Sequence, residues 1–324
     1  MKLLIAIVNF RVAELTIDCL RSLESQIELS PGTHVAVSEN GTGDDSAARI
    51  QHAIDINGWG EWCTLTPLDQ NLGFTGGNNV LIRAALMSAE PPDYVLLLNP
   101  DTLVRPNAIT TLVEFMECNS TVGIAGSRLE DPDGTPQRSA FRFHSALGEL
   151  ERTLKLGLIS KLLTSWIVAP PVVDHAIQTD WVAGASMIIR RQVFDDVGLL
   201  DEGYFTYFDD IDFCFNAKKA GWKTWYVPNS RVVHLVGQSS GVNRTSKRLP
   251  GYLLEARRRY FLKNYGPLYA AVSDACAILG LCLHRAKAPF KEQTNASHVI
   301  GDYFRHSVFM NGFSVNTVKA PYQK

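Results

Sequence analysis

Five short, largely apolar runs mark the first two thirds of the chain. They are LLIAIV (3–8), HVAVS (34–38), YVLLL (94–98), VGIAG (122–126) and SMIIR (186–190). Apolar runs of this length are typical of strands that are buried on both faces of a sheet. Helical patterns fall between several of them, as at Leu20, Leu23 and Ile27, which share one helical face. The alternation predicts an α/β fold with a Rossmann-like, mostly parallel sheet flanked by helices.

The pattern changes after residue 240, where strand-like runs give way to helical ones. LEARRRYFLKNYG (254–266) predicts a basic helix. The next segment, 267–287, is apolar, but Asp274 interrupts it, and it is shorter than the ~20 clean residues of a spanning helix. Two interpretations stay open: a helix packed on the core, or a helix lying in a membrane interface. In the second, the cations near lipid head groups are Arg285, Lys287 and Lys291.

Charge is distributed unevenly along the chain. The formal net charge is −2, yet residues 241–324 carry 13 Lys and Arg against 4 Asp and Glu, so the rest is acidic. A basic C-terminal region on an acidic body indicates an anionic partner, either phosphate groups or an anionic membrane surface. Because no recognition-helix or aromatic-ribbon pattern accompanies the charge, nucleic acid is not expected as a partner.

Composition and cysteine spacing indicate the compartment. Hydrophobic residues make up 46% of the chain and charged residues 20%, as in soluble globular proteins. Six cysteines occur without CxxC spacing, which predicts free thiols in a reducing compartment. The first apolar run is interrupted by Asn9 and Arg11 and lacks a small-residue cleavage site, so it predicts a strand rather than a signal peptide. The expected location is the cytoplasm.

Polar residues follow three of the predicted strands. The first run ends in Asn9, the second leads into Glu39 and Asn40, and the third leads into Asn99-Pro100-Asp101. In open parallel sheets, ligands bind where the carboxyl ends of the strands splay apart. Proline removes a backbone donor and stops the ladder, so the carboxylate after it is held at the sheet rim. That carboxylate is either a helix or turn cap or a metal ligand.

The stretch DQNLGFTGGNN (69–79) combines three glycines and three asparagines ahead of a helical run. Glycine lets backbone approach a ligand closely, and a helix N-terminus favours phosphate. The Gly76-Gly77 turn and Asn78 are therefore candidates for a nucleotide pocket, and a simple turn with a helix cap is the alternative. The spacing is not GxGxxG, so a dinucleotide fingerprint is not indicated.

Acidic and aromatic residues are densest between 181 and 235. Asp209, Asp210 and Asp212 lie within four residues, next to the aromatic residues Tyr204, Phe205, Tyr207 and Phe208. Neighbouring carboxylates raise one another's pKa, which suits a general base, and aromatic rings suit the C–H faces of sugars. An acidic first turn of a helix is the alternative. His234 ends the strand-like run RVVH and is a residue type that joins carboxylates around a divalent metal.

Taken in order, ENG, NLGFTGGNN, LLLNPDT, GASMIIRRQVF, VGLLDEGYFTYFDDIDFC, GWKTWYVP and VVH resemble the motifs of the family 2 glycosyltransferases of the GT-A fold. Within that family the chain is most similar to the bacterial rhamnosyltransferase-like branch, over about residues 3–265. The resemblance implies a GT-A domain over 1–240, with a nucleotide-binding half of about 1–125 and an acceptor half of about 126–240. Residues 241–324 would form a basic C-terminal helical region able to associate with a membrane.

The resemblance also implies an activity. Such enzymes are inverting transferases that move a sugar from a nucleotide diphosphate to a hydroxyl of an acceptor with the help of Mg²⁺ or Mn²⁺. The expected donor is dTDP-rhamnose, with a UDP-linked hexose as the alternative. The expected acceptor is a cell-surface glycan or a lipid-linked saccharide at the inner face of the cell membrane.

Residue roles are carried over position by position. Asp210 matches the catalytic base, and Asp209 stands beside it where many relatives have glutamate. Asp101 and His234 match the metal site. Glu39 would read the base edge and Asn99 would lie near the ribose, while the basic residues would neutralise the leaving group. The full set implied to contact the nucleotide sugar is Asn9, Glu39, Asn40, Gly76, Gly77, Asn78, Asn99, Gly184, Ala185, Arg257, Arg258 and Lys263.

Two other functions fit parts of the pattern. A nucleotidyltransferase that makes nucleotide sugars would open with a glycine-rich, basic loop after the first strand, but NFRVAEL has no glycine. A degenerate nucleotide-sugar or carbohydrate-binding module would explain why Asn-Pro-Asp offers one carboxylate. It would also explain why Asn216 stands where many relatives have arginine.

Overall fold

The computed structural model describes residues 2–154, 161–235, 249–287 and 293–318. Nine strands form one sheet in this part of the chain, in the order β3-β2-β1-β4-β10-β6-β11-β5 with β8 beside β11, and β7 pairs with β9. The strands are β1 (Leu3–Asn9), β2 (Thr33–Glu39), β3 (Cys63–Pro67), β4 (Tyr94–Leu98), β5 (Thr102–Val104), β6 (Val122–Glu130), β7 (Ala140–Phe141), β8 (Ile177–Thr179), β9 (Trp181–Val182), β10 (Ser186–Arg190) and β11 (Lys223–His234).

All five predicted strands form, but the sheet is mixed rather than parallel throughout. The strands β3, β2, β1 and β4 are mutually parallel, as predicted. Strand β10, which contains the run SMIIR, enters antiparallel to both β4 and β6. Strand β11 is parallel to β6 and antiparallel to β5 and β8. A run that is apolar throughout indicates burial on both faces but carries no information about strand direction.

Helices cover both faces of the sheet, and alternate strand residues face opposite sides. Leu3, Ile5 and Ile7 of β1 belong to one core cluster, and Leu4 and Ala6 belong to the other. This alternation is the period-2 geometry of a strand with two buried faces. The helices are α1 (Ala13–Leu29), α2 (Ser46–Ile56), α3 (Gly73–Leu86), α4 (Ala108–Cys118), α5 (Ala146–Leu154), α6 (Arg191–Val197), α7 (Asp209–Lys219), α8 (Gly251–Tyr265), α9 (Pro267–Lys287), α10 (Gln293–Arg305) and α11 (Val308–Asn311).

The C-terminal helices are fastened to the rest of the protein by a buried ion-pair network. The Arg257 guanidinium on α8 donates to Glu149 on α5 at 2.8 Å and to Asp274 on α9 at 2.5 Å. Arg152 donates to the same Glu149 carboxylate at 2.8 Å. Removing one partner of such a buried pair leaves an uncompensated charge, which typically costs about 3–5 kcal/mol. The network therefore fixes α8 and α9 against α5.

Candidate active site

The carboxyl ends of β1, β2 and β4 meet at one edge of the sheet, as predicted. Asn9 and Glu39 lie side by side in the register of β1 and β2. Asn9 is buried, and its Oδ1 accepts a hydrogen bond from the Thr16 hydroxyl at 2.9 Å. Its Nδ2 donor has no partner among the described residues. An unpaired buried amide is costly, so it marks this edge as a place where a ligand would complete the hydrogen bonding.

Sheet register brings Asp101 and His234 together. Strand β4 ends at Leu98, β5 begins at Thr102, and β5 pairs with β11 so that His234 stands opposite Thr102. The His234 Nε2 atom lies 3.5 Å from Asp101 Oδ1 and 3.3 Å from the Asn99 amide nitrogen. Asp101 is buried, and its Oδ1 has no hydrogen-bond partner in the part of the chain that the structure describes. A bare carboxylate oxygen beside an imidazole suits a divalent cation.

This pair is not a complete metal cage. No three His, Cys, Asp or Glu side chains gather around a common point within the described ranges. A site with one carboxylate and one imidazole leaves most coordination positions open. Mg²⁺ is commonly held in this way, by one or two protein ligands together with substrate phosphates and water.

Helix α7 begins at the acidic cluster and places two carboxylates differently. The Asp210 side chain is partly exposed, and its two oxygens accept hydrogen bonds from the backbone N–H groups of Gly184 at 3.1 Å and Ile211 at 2.8 Å. Burial raises the pKa of Asp210 to about 6. Burial, and then the nearby Asp210 charge, raise the pKa of Asp209 well above its ordinary value. With a pKa of about 6, Asp210 is ionised above that pH and can accept a proton, whereas burial and the Asp210 charge favour the protonated form of Asp209.

The loop before β10 connects the two groups of residues. Ala185 accepts a backbone hydrogen bond from Asn99 at 3.0 Å, and Gly184 donates to Asp210. A Cβ on Gly184 would lie 3.5 Å from the Phe74 ring and 3.6 Å from Asp210 Cβ. The end of β4, the loop before β10 and the start of α7 are therefore linked by hydrogen bonds, and their joint role as one active site stays a prediction.

A cavity of about 250 Å³ opens beside Asp210. Its walls are mostly apolar and aromatic and come from the main domain and from the C-terminal helices. Trp181 in the wall is held in place by stacking on Phe141, with ring centroids 4.2 Å apart, and by donating its N–H to the Arg142 carbonyl. The lining residues are His144, Arg152, Trp181, Tyr207, Phe208, Asp210, Ile211, Leu249, Leu253, Leu254, Arg257 and Tyr303.

Two aromatic residues of the cavity wall have left-handed backbone conformations. Tyr207 has a φ of 65° and Phe208 a φ of 63°. Such a conformation costs a non-glycine residue of order 1–3 kcal/mol, and it persists where the surroundings fix it, often at functional sites. Here the strained pair directly precedes Asp209 and Asp210 and turns the chain into α7.

The predicted glycine turn is wrong in its local structure. Gly76 and Gly77 lie inside α3, which begins at Gly73. A Cβ on Gly77 would come 2.7 Å from Val8, and one on Gly76 would come 2.7 Å from Leu72. Gly77 lets the helix pack tightly on β1, because only a hydrogen atom fits there, and Gly76 leaves room for the Leu72 side chain just before the helix.

Asparagine side chains of the same segment also have structural partners. Asn40 donates to Asn71 Oδ1 at 3.0 Å and to the Gly73 carbonyl at 2.9 Å, and it accepts from the Leu72 N–H at 3.0 Å. Asn40 therefore holds the loop that leads into α3. This structural role differs from the predicted contact of Asn40 with the nucleotide. Asn78 donates to the Phe74 carbonyl at 2.9 Å, but its buried Oδ1 lacks a partner in the described ranges and stays a candidate ligand contact.

The three basic residues predicted to neutralise the leaving group are occupied elsewhere. Arg257 lines the cavity, but its guanidinium forms ion pairs with Glu149 and Asp274, which neutralise its charge. Lys263 donates to Asp201 and Asp212, both at 2.7 Å. Arg258 is buried and donates to backbone carbonyls of the C-terminal tail. These contacts differ from the predicted contacts with the nucleotide sugar. The three side chains instead bind neighbouring segments and hold α8 in place.

Sequence reasoning missed most of the cavity. Its walls come from segments around residues 144, 181, 208, 254 and 303, which no local motif connects. The aromatic residues before the acidic cluster, Tyr207 and Phe208 among them, were the available signal. They predicted sugar-binding aromatics but gave no position for them.

The raised pKa of Asp209 gives a testable pH dependence of stability. A buried carboxyl whose folded pKa lies above its unfolded value favours the folded state most below pH 4, and that contribution is lost as pH rises towards the folded pKa. Asp209→Asn removes this titration. We expect the variant to gain stability over the wild type as pH increases from 4.5 to 8.5, by about 1.4 kcal/mol for each unit of raised pKa.

Urea denaturation at several pH values measures the difference. Asp195→Asn is the control, because Asp195 is on α6 with its side chain 60% exposed. Its difference from the wild type should stay flat with pH. A flat difference for Asp209→Asn as well would contradict a raised pKa for Asp209.

Known proteins share both the sequence pattern and the fold. The family model for "Glycosyltransferase like family 2" matches residues 2–259. The N-acetylglucosaminyl-diphospho-decaprenol L-rhamnosyltransferase of Mycobacterium tuberculosis (strain H37Rv) is 28% identical over 222 residues, which cover 64% of this chain and 68% of that protein. Rhamnosyltransferase WbbL of Escherichia coli (strain K12) is 28% identical over 165 residues, which cover 50% of this chain and 60% of WbbL.

A solved structure confirms the expected fold. The crystal structure of GalNAc-T7 with UDP, GalNAc and Mn²⁺ superposes with a TM-score of 0.58 at 13% identity. The match covers 97% of this chain and 58% of that chain. At 13% identity, the similarity to this structure shows only that the two proteins share a fold, which is the GT-A fold. With the family model spanning most of its length, the chain belongs to glycosyltransferase family 2.

Proposed function

We propose that the protein is an inverting, metal-dependent glycosyltransferase that moves rhamnose from dTDP-rhamnose to a hydroxyl of a lipid-linked saccharide. One observation carries the proposal. The Asp210 carboxylate, with a pKa raised to about 6, lines the cavity and is linked through Gly184 and Ala185 to Asn99, which contacts His234 at the edge of the sheet. This linkage supports a proton acceptor that serves both a pocket for one substrate and a phosphate-binding edge for the other.

The reaction follows from this placement. The acceptor sugar occupies the cavity and points its hydroxyl at Asp210. As the hydroxyl oxygen bonds to the anomeric carbon, Asp210 takes the hydroxyl proton, and the bond to the diphosphate breaks on the opposite side of the sugar. Attack from the side opposite the leaving group inverts the anomeric centre. Aromatic walls suit this acceptor because the C–H face of a pyranose packs on them.

Asp101 and His234 would hold the Mg²⁺ or Mn²⁺ ion. A bound divalent cation would supply positive charge for the diphosphate as its leaving oxygen becomes negative. The bare Asp101 oxygen beside the imidazole fits this role. These two side chains would leave most coordination positions of the ion open, and the diphosphate and water would fill them.

The donor and the acceptor rest on relatives. Two rhamnosyltransferases among them support rhamnose, and the N-acetylglucosaminyl-diphospho-decaprenol in the name of one supports a lipid-linked acceptor. The GalNAc-T7 complex with UDP supports the alternative of a UDP-linked hexose. We assign donor binding to residues of about 1–125 and acceptor binding to about 126–240, with helices from 241–324 closing the cavity.

Thermal unfolding with nucleotide sugars tests the proposal. A ligand that binds the folded state alone at a hundred times its dissociation constant stabilises it by about 2.7 kcal/mol. We expect dTDP-rhamnose with Mn²⁺ to raise Tm, and each of the two alone to raise it less. UDP-glucose, UDP-N-acetylglucosamine and GDP-mannose are the competitors that identify the base and the sugar.

The outcomes separate the candidate functions. A larger shift with a UDP-sugar would replace rhamnose with a hexose. A shift without any transfer to an acceptor would favour a degenerate binding module. No shift with any nucleotide sugar, with or without metal, would overturn the proposal.

A further inference from the structure

Helix α9 exposes a continuous apolar face. Between Pro267 and Leu283 no charged residue of this helix is exposed. Four large side chains on the face are 43–80% exposed, and their spacing of 4, 11 and 15 residues from the first keeps them within one narrow sector of the helix. They are Leu268, Val272, Leu279 and Leu283. A helix on the surface of a soluble protein normally turns polar residues outward, so this pattern is reversed.

The opposite face of α9 is packed and carries the polar groups. Ala277 is fully buried, and Gly280 sits so close to α5 that a Cβ there would collide with the Thr153 hydroxyl. Asp274 is buried on this face in its ion pair with Arg257. The helix is thus fixed to the protein by one side, and its outward side lacks a partner in the described ranges.

Length and composition alone would let this helix cross a membrane. Pro267–Ala286 is the single helix of the described residues that passes such a test, with a mean hydropathy of 1.4. The contacts of α9 argue against spanning. Crossing the membrane would move the ion pair of Asp274 and Arg257 into the hydrocarbon and would break the packing of α9 on α5. A helix that keeps its packed face on the protein can bury the other face only to the depth of an interface.

Charge favours a lipid surface over a protein as the occupant. Of the basic residues in 241–324, Arg257 and Arg258 are buried and Lys263 is paired with acidic side chains, but Arg285, directly after the apolar face, and Arg305 are exposed. Of the acidic residues, Asp274 and Asp302 are buried. Anionic lipids attract such a surface, while the apolar face enters among the acyl chains.

We propose that the exposed face of α9, defined by Leu268, Val272, Leu279 and Leu283, docks the protein flat on an anionic membrane. The docking proposal rests on the proposed function in one respect: an enzyme docked on a membrane can reach a lipid-linked acceptor. The docking surface itself is defined by the helix and not by the catalytic site.

Vesicle flotation with the full chain tests the docking surface. The probes are vesicles of phosphatidylcholine alone and vesicles with a third of phosphatidylglycerol, each at low and high salt. We expect the wild type to float with the anionic vesicles and to bind neutral ones at least tenfold more weakly. The triple variant L268E/L279E/L283E should bind anionic vesicles at least tenfold more weakly than the wild type, because charge replaces the apolar contact.

A matched control keeps the test specific. Leu29, Ile56 and Met87 are 57–81% exposed on helices of the N-terminal half. The triple variant L29E/I56E/M87E adds the same charge and should float like the wild type. Equal Tm values for the three proteins exclude unfolding as the cause of lost binding.

Other results would overturn the inference. Absence of vesicle binding by the wild type would do so, as would equal binding by the two triple variants. If sedimentation showed a wild-type dimer that L268E/L279E/L283E abolishes, and no vesicle binding, the face would belong to a second copy of the chain. Failure of the proposed function would show instead as missing donor binding and would leave flotation unchanged.

Discussion

Replacing Asp210 with asparagine should lower kcat by about 10²–10⁴-fold, the range that general acid–base catalysis contributes. The amide cannot accept the acceptor proton, but its oxygen can still accept the Gly184 N–H bond that fixes the side chain. Donor binding should therefore persist within a few-fold. Steady-state turnover together with calorimetric donor titration measures both quantities.

The pH profile gives an independent check on the same residue. Burial raises the pKa of Asp210 to about 6, and only the ionised carboxylate accepts a proton, so wild-type kcat/KM should rise with pH through about 6. Asp195→Asn, an exposed change on α6, should retain both the rate and this profile. Asp209→Asn should lose less turnover than Asp210→Asn, because burial favours the neutral form of Asp209, which asparagine resembles. Unchanged turnover in Asp210→Asn would remove it as the base.

Residues at strand ends could be predicted from sequence, because strand geometry fixes where they go. The apolar run YVLLL and the proline after it were enough to place Asp101 at the sheet rim. His234 ends β11 as its sequence run indicated, yet its contact with Asp101 depends on β11 pairing with β5. That pairing joins segments 130 residues apart in sequence. A single sequence without pairing information does not specify it.

Glycines and basic residues were harder to interpret from sequence, because each can serve either internal packing or ligand binding. Gly77 permits close packing as readily as close approach to a phosphate, and only the position of Val8 distinguishes the two. Arg257 appeared as part of a basic stretch, but Glu149, 108 positions earlier, neutralises it. Local charge therefore overstated the cation available to a diphosphate. In the proposed function, Asp101 and His234 would supply that positive charge through a bound metal.

Exchanging Asp101 for asparagine should remove the metal-dependent part of donor binding and lower turnover by about 10²-fold or more, the scale of losing one preorganised charge-stabilising group. Chelation with EDTA should do the same to the wild type. Because the two changes remove one interaction, EDTA should have little further effect on Asp101→Asn. Thermal shift with donor, with and without Mn²⁺, gives a readout that does not need turnover.

The structure distinguishes this functional loss from a structural one. The Asp101 Oδ1 atom is buried without a hydrogen-bond partner in the described part of the chain, and His234 Nε2 lies 3.5 Å from it, so a neutral amide loses no hydrogen bond at that oxygen. The Tm of Asp101→Asn without ligand should therefore equal or exceed that of the wild type. Asp93→Asn, at the exposed start of the same strand, should keep the metal-dependent shift and full turnover. If Asp101→Asn kept them as well, the metal would be held elsewhere, and the bare carboxylate beside His234 would have no part in binding the diphosphate.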